Sequence, residues 1–182
     1  MMSENLEKSQ ETEKFVKVLY IFGEINESIS QETTKELIET DWLGEEISEL
    51  QLYICSEGGY LRDCFAIIDL VQAIREEFDI KISTYGLGEV ASAGFFIFLL
   101  GDTRVLFPSC RVFVHEHITI GNDQTYGERI KADKTEEKEV YERYLKYTSD
   151  RLEITITKAK NLLKKNKWLT DKEVKNYKIN KD

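Results

Sequence analysis

Short apolar strand patterns alternate with helical patterns between residues 17 and 85, and this alternation leaves few architectures open. Strands are predicted at residues 17–22, 50–54 and 80–85, where apolar residues run together or alternate. Two helical patterns lie between them, one with Ser30 as its predicted N-cap and one beginning at Leu61. Successive parallel strands require crossover connections, and these are right-handed. The sequence therefore predicts an α/β fold with a mostly parallel sheet and crossover helices.

The stretch from Tyr85 to Gly101 leads from the third predicted strand through a glycine-rich turn into an apolar block. Ser92 is the single hydroxyl at that turn, and the block after it is apolar on all sides, which predicts a buried helix. Thr170 begins a capping box that predicts a final short helix. The other predicted elements are two short strands, a long charged helix and one more short helix, at residues 103–107, 111–115, 127–152 and 156–165.

Length, charge and cysteine usage limit the class of protein. The 182 residues suggest one domain, predicted at residues 15–182, after a mobile acidic arm at residues 1–14 that lacks the apolar core of a secretory signal. A net charge of −9 offers no basic stripe to neutralise phosphates, which argues against nucleic-acid binding. No apolar run reaches the roughly 20 residues that cross a bilayer, so no membrane association is expected. Three cysteines without metal-ligand spacing predict free thiols, no metal or cofactor, and a cytoplasmic location.

Three features are predicted to meet at the carboxyl edge of the sheet. Ser92 follows one strand, His115 ends another, and Gly58-Gly59 ends a third. The carboxyl ends of parallel strands line one crevice, so a hydroxyl, an imidazole and bare backbone N–H groups come together there. Attack by a serine needs a base for its proton and donors for the resulting oxyanion. Each feature also has an ordinary interpretation: a helix N-cap for Ser92, a strand-end histidine for His115 and a turn for the glycines.

Four motifs resemble those of a known family, the proteolytic subunit of the Clp protease (ClpP). Y-I-C-S-E-G-G resembles the family's Y-I-N-S-P-G-G, and G-E-V-A-S-A-G resembles its nucleophile turn, G-x-A-A-S-M-G. P-S-C-R-V-F-V-H resembles P-N-S-R-V-M-I-H, and K-N-K-W-L-T-D-K-E-V-K-N-Y-K-I is similar to R-D-R-F-x-x-x-x-E-A-x-x-Y-G-L. The motifs follow the family's order at close to its spacing, and the resemblance runs over residues 16–180.

This resemblance implies a serine endopeptidase of the ClpP/crotonase fold that cleaves unfolded polypeptides or short peptides. Ser92 would be the nucleophile, His115 the general base, and the N–H groups of Gly59 and Ala93 the oxyanion hole. The family assembles as a homo-oligomer of two stacked seven-membered rings, to which AAA+ Clp ATPases deliver substrates. The long helix corresponds to the handle that joins the rings, and residues 118–126 to a strand that pairs with substrate backbone.

One departure from the family bears on activity. Asn166 stands where the family has its catalytic aspartate, and an asparagine can orient the imidazole but carries no charge to stabilise imidazolium. Asp171 is an alternative third member, although the capping box already gives it a structural role. The sequence therefore leaves a second hypothesis open, a structural or regulatory subunit with little or no activity. A third is an acyl-CoA enzyme of the related crotonase fold, in which Ser92 and His115 would be coincidental.

Overall fold

The computed structural model describes residues 15–116 and 126–181, and for residues 126–137 it describes the backbone alone. The strands are β1 Phe15–Ile25, β2 Ile47–Gly59, β3 Lys81–Ala91, β4 Thr103–Leu106, β5 Arg111–Val114 and β6 Lys167–Trp168. The helices are α1 Glu27–Glu39, α2 Leu61–Phe78, α3 Ala93–Phe98, α4 Tyr126–Leu152, α5 Ile156–Leu163 and α6 Asp171–Asn176. The predicted arm at residues 1–14, His117 and residues 118–125 of the predicted substrate-pairing strand lie outside the described residues.

The described strands form one sheet that is built around β3. The strand order is β1-β2-β3-β5-β6, and β4 also pairs with β3. The pairs among β1 to β5 are parallel, whereas β6 runs antiparallel to β5. Helices α1 and α2 connect the first three strands as crossovers. The predicted α/β fold with a mostly parallel sheet, crossover helices and a long helix is therefore confirmed.

Strand β3 changes partners halfway along, and this change brings its end towards β5. Residues 83–86 pair with β4, and residues 89–91 pair with β5. The sequence predicted a strand that ends at Tyr85, whereas β3 continues through the glycines to Ala91. Gly88 has φ +58°, a left-handed conformation that a glycine adopts without strain. The glycine-rich stretch is extended because a second neighbouring strand satisfies its backbone, which no local pattern reveals.

Helix α1 begins earlier than the sequence predicted. Its N-cap is Asn26, whose Oδ1 accepts a hydrogen bond of 3.1 Å from the N–H of Ile29. The predicted cap, Ser30, is buried inside the helix, and its N–H donates to the carbonyl of Asn26. Asparagine caps as well as serine, so residue type alone does not choose between them. The capping box that opens α6 at Thr170 was predicted correctly.

Helix α3, which follows Ser92, is buried all round and held at its far end by two arginines. Phe95, Ile97 and Phe98 are at most 1% exposed, as the apolar block predicted. The carbonyl of Gly101 accepts hydrogen bonds from Nη1 of Arg104 at 3.1 Å and from Nη2 of Arg151 at 2.8 Å. Burial lowers the pKa of Arg104 to about 10, which leaves it charged at neutral pH. These cations satisfy a carbonyl of the segment just beyond the helix and tie that segment to the rest of the fold.

None of the helices that the structure describes combines the length and the apolarity needed to cross a membrane.

Candidate active site

Ser92 lies in a sharp turn between β3 and α3. Its backbone has φ 49° and ψ −119°, a conformation that residues other than glycine rarely adopt. The N–H of Ser92 donates to the carbonyl of Phe113 in β5 at 3.1 Å. Such strained backbone persists when its surroundings hold it, and it concentrates at functional sites. The turn is therefore tied to the strand that carries the candidate base.

His115 follows β5 directly and reaches the Ser92 hydroxyl. Because Ala91 pairs with Phe113 across the parallel strands, the two chain ends leave the sheet side by side. His115 Nε2 lies 2.6 Å from Ser92 Oγ. This is hydrogen-bonding distance, and it is the arrangement in which an imidazole can take the proton of an attacking hydroxyl.

Of the two glycines that end β2, Gly58 leaves room for this turn and Gly59 leaves room for the end of β1. A Cβ on Gly58 would lie 2.4 Å from Ser92 Cβ and 2.9 Å from the carbonyl oxygen of Ala91. A Cβ on Gly59 would lie 2.1 Å from the carbonyl oxygen of Ile25. Gly59 was predicted to be an oxyanion donor, whereas the closeness of Gly58 to Ser92 was not predicted. In the sequence, only the two consecutive glycines, Gly58 and Gly59, pointed to this close approach.

Replacing Gly58 by alanine is expected to displace Ser92. The added methyl group has no space, and φ +105° strains any side chain, so we expect the free energy of unfolding to fall by about 1–3 kcal/mol. A shift of about 1 Å at the nucleophile lowers reactivity roughly 100-fold. Denaturant unfolding and the rate at which a fluorophosphonate labels Ser92 measure the two effects.

Gly23→Ala is the matched control for this substitution. Gly23 also has positive φ, +81°, but a Cβ there would meet nothing within 4 Å. Gly23→Ala should therefore lose stability through backbone strain and keep its labelling rate. Equal labelling rates for the two variants would contradict the proposed contact between Gly58 and Ser92.

Asn166 is placed opposite His115 by the sheet but does not bond to it. Strand β6 pairs Trp168 with Phe113 and Lys167 with Val114, so continuing the register sets Asn166 beside His115. His115 Nδ1 is buried and has no hydrogen-bond partner among the described residues. Neither Asn166 nor Asp171 therefore holds the imidazole in this arrangement. The identity of a third catalytic member stays a prediction.

A carboxylate clamps the chain on both sides of Asn166. Glu173 Oε1 lies 2.9 Å from Nζ of Lys165 and 3.1 Å from Nζ of Lys167. Its Oε2 accepts a hydrogen bond of 3.0 Å from the N–H of Thr170. That backbone hydrogen bond first, and the two lysines second, lower the pKa of Glu173 to about 2. The Glu173 carboxylate therefore stays charged throughout the pH range in which a histidine titrates. Its contacts hold the turn in which Asn166 has φ 47°.

Two of the cysteines, Cys64 and Cys110, are poorly suited to act as nucleophiles. Cys64 Sγ donates to the carbonyl of Ala93 at 3.3 Å, and burial holds the pKa of this thiol far above its usual range. Burial likewise raises the pKa of Cys110 to about 11. Because the thiolate is the reactive form, both remain unreactive at neutral pH. Within residues 15–116 and 126–181, no three histidine, cysteine, aspartate or glutamate side chains cluster as metal ligands do.

The fold and the site define an α/β protein with a serine–histidine pair at the carboxyl edge of a parallel sheet. The family model for Clp protease matches residues 6–180. The chain therefore belongs to the Clp protease family.

Curated relatives agree with this assignment, and a solved structure has a similar fold. The ATP-dependent Clp protease proteolytic subunit of Populus trichocarpa is 33% identical over 87 residues, which cover 47% of this chain and 42% of the relative. The protein of the same name from Nicotiana tabacum is 29% identical over 116 residues, covering 63% and 57%. The matches thus span about half the length of these relatives. An asparagine-to-aspartate mutant of ClpP1 from Listeria monocytogenes has a similar fold, with a TM-score of 0.76 at 22% identity over 90% of this chain and 88% of that one.

Proposed function

We propose that this chain is a serine endopeptidase that hydrolyses short peptides or unfolded polypeptides. The observation that carries the proposal is the distance of 2.6 Å between His115 Nε2 and Ser92 Oγ in a strained turn. The pair lies beside the last residues of β2 and the start of α3. The proposed oxyanion donors are the backbone N–H groups of Gly59 and Ala93. Membership of the Clp protease family supports the same reaction.

The chemistry follows from these positions. Ser92 Oγ attacks the carbonyl carbon of the scissile peptide while His115 Nε2 accepts its proton. The N–H groups of Gly59 and Ala93 stabilise the negative oxygen of the tetrahedral intermediate. The imidazolium then returns the proton to the leaving amine as the C–N bond breaks. A water molecule, deprotonated by His115, hydrolyses the acyl-enzyme and restores the Ser92 hydroxyl.

The setting proposed for this reaction is a chamber formed by copies of the chain. Stacked rings, a Clp ATPase that delivers unfolded chains, and a cytoplasmic location are proposed from the family, whose curated members carry the name ATP-dependent Clp protease proteolytic subunit. The three cysteines are free thiols, as a reducing compartment would leave them. Helix α4, 27 residues long, supports the proposed role as a handle between rings.

A second candidate function is a structural or regulatory subunit with little activity of its own. The observation in its favour is the buried His115 Nδ1, which lacks a partner among the described residues. Without a hydrogen bond there, nothing selects the tautomer that accepts a proton at Nε2, and no charge stabilises the imidazolium. Such a subunit would keep the ring fold and contribute few turnovers.

Active-site labelling separates the two candidates. A fluorophosphonate probe phosphonylates a serine, with loss of fluoride, only where a base activates the hydroxyl, so we expect native protein to be labelled at Ser92, as read by mass spectrometry. Ser92→Ala should abolish labelling, and Ser109→Ala, at an exposed serine in the turn before β5, should leave it unchanged. Native protein that stays unlabelled at every pH between 6 and about 9 would count against the endopeptidase.

A further inference from the structure

His115 stands one residue beyond the strand that carries it. Strand β5 ends at Val114, its pairing with β3 ends at Phe113, and its pairing with β6 ends at Val114. The sheet therefore holds the backbone up to the histidine but not past it. The imidazole contacts the Ser92 hydroxyl through Nε2, and its Nδ1 has no hydrogen-bond partner among the described residues. A base placed in this way needs a support on its other side to stay in line with the hydroxyl.

The residue after the histidine has such a support on helix α4. Oε1 of Glu116 accepts a hydrogen bond of 2.9 Å from the hydroxyl of Tyr141, and both residues are half-buried. Burial first, and the Glu116 carboxylate second, raise the pKa of Tyr141 to about 12, so the hydroxyl keeps its proton and donates at neutral pH. The backbone is thus held before His115 by β5 and after it by Glu116.

The ring of Tyr141 is itself fixed in place. It packs edge-on against Tyr144, with 5.1 Å between centroids, and Tyr144 is fully buried. On α5, Nζ of Lys160 lies 5.8 Å from the centre of the Tyr141 ring. A ring held in this way presents its hydroxyl at a defined point, so the hydrogen bond sets the position of Glu116.

Helix α4 also holds α3, the helix that begins directly after Ser92. The Tyr144 ring lies 5.6 Å from the ring of Phe96, and the Tyr147 hydroxyl donates to the carbonyl of Phe96 at 3.0 Å. The nucleophile's helix and the residue next to the base are therefore attached to one support, α4.

The packing of α4 does not depend on the Tyr141 hydroxyl. Tyr144, Leu145 and Leu152 are buried in the core, and Nε of Arg151 donates to the carbonyl of Leu99 at 2.7 Å. One more hydrogen bond between half-buried side chains adds little to a helix that is already fixed at these points. What the bond does add is a defined position for the residue that is covalently joined to His115.

We propose that Glu116 and Tyr141 are positioning residues for His115, and that their hydrogen bond keeps the imidazole aligned with the Ser92 hydroxyl. The proposal rests on the proposed endopeptidase. Neither side chain exchanges a proton with the substrate, and their effect passes through the backbone between residues 115 and 116. Losing the bond should lower kcat and leave KM unchanged, because proton transfer depends on this alignment and substrate binding does not.

Three variants test the hydrogen bond itself. Tyr141→Phe removes one hydroxyl and keeps the ring, and it should lower both kcat on a fluorogenic peptide and the rate of fluorophosphonate labelling about tenfold or more, since a misplacement of about 1 Å costs roughly 100-fold. Glu116→Ala should cause the same loss, and the double variant should be no slower than either single one. Glu116→Gln keeps an acceptor oxygen for the Tyr141 hydroxyl and should retain most of the native rate.

Tyr147→Phe is the matched control. It removes another hydroxyl from the same helix, but that hydroxyl donates to α3, which keeps its contacts with Tyr144 and Arg151. This variant should lose stability in denaturant unfolding and keep its labelling rate. Native rates in Tyr141→Phe, equal losses in Tyr141→Phe and Tyr147→Phe, or a Glu116→Gln variant as slow as Glu116→Ala would overturn the proposal.

A spectroscopic measurement separates this proposal from the proposed function. The chain has two histidines, so in an untagged His117→Gln background the carbon-13-labelled ring of His115 gives the one histidine signal in the NMR spectrum. If native protein is unlabelled by fluorophosphonate and cleaves no peptide, the endopeptidase fails, while this signal still reports the position of the ring. We expect the signal to shift or divide in Tyr141→Phe and to stay in place in Tyr147→Phe. An unchanged signal in Tyr141→Phe would refute the positioning role.

Discussion

Replacing Asn166 by aspartate is expected to raise the rate of peptide hydrolysis by about three to four orders of magnitude. The opposite change lowers kcat about 10⁴-fold in a well-characterised serine peptidase, because the carboxylate selects the imidazole tautomer and stabilises imidazolium. The β5–β6 register sets residue 166 beside His115, whose Nδ1 is buried without a partner among the described residues. A carboxylate at this position therefore starts on the strand position that faces the histidine. The measurement is kcat/KM on one fluorogenic peptide.

The electrostatic surroundings favour this substitution. Lys165 and Lys167 flank the new carboxylate, and both are held by Glu173. Asn176→Asp adds the same charge on an exposed position of α6 and is the matched control, since it should leave the rate unchanged. Equal rates for the two variants, or no measurable rate in either, would favour the structural subunit over the endopeptidase.

In the Asn166→Asp background, removing either Ser92 or His115 is expected to cost about 10⁴- to 10⁶-fold in kcat. Ser92 provides the attacking oxygen, and at 2.6 Å His115 is the group that takes its proton. Because neither works without the other, the double variant should be no slower than the single ones. Rates for Ser92→Ala, His115→Ala and the double variant, measured on the same peptide, give the comparison.

This prediction depends on Ser92 and His115 acting as a single unit. Losses that multiply in the double variant would mean that Ser92 and His115 act independently, which the shared hydrogen bond does not allow. Denaturant unfolding serves as the control for folding. Both side chains lie at the edge of the sheet and outside the apolar core, so each variant should keep most of its free energy of unfolding.

The sequence by itself determined the order of elements and the neighbourhood of the site. Alternating strand and helix patterns require parallel pairing, and parallel pairing gathers the carboxyl ends of strands. Ser92, His115 and Gly59 each follow or end a strand, so their convergence was predictable. The capping box at Thr170 was predictable for a related reason, since all its contacts lie within four consecutive residues.

The tertiary structure alone decided which contacts complete the site. The extension of β3 to Ala91 depends on β5, which lies some 20 residues further along the chain. The contact of Gly58 with Ser92, the unpartnered Nδ1 of His115 and the hydrogen bond of Glu116 with Tyr141 depend in the same way on distant segments. The physical reason is that a residue's propensity acts over one turn or one strand, whereas a clash or a missing hydrogen-bond partner is a property of packed neighbours.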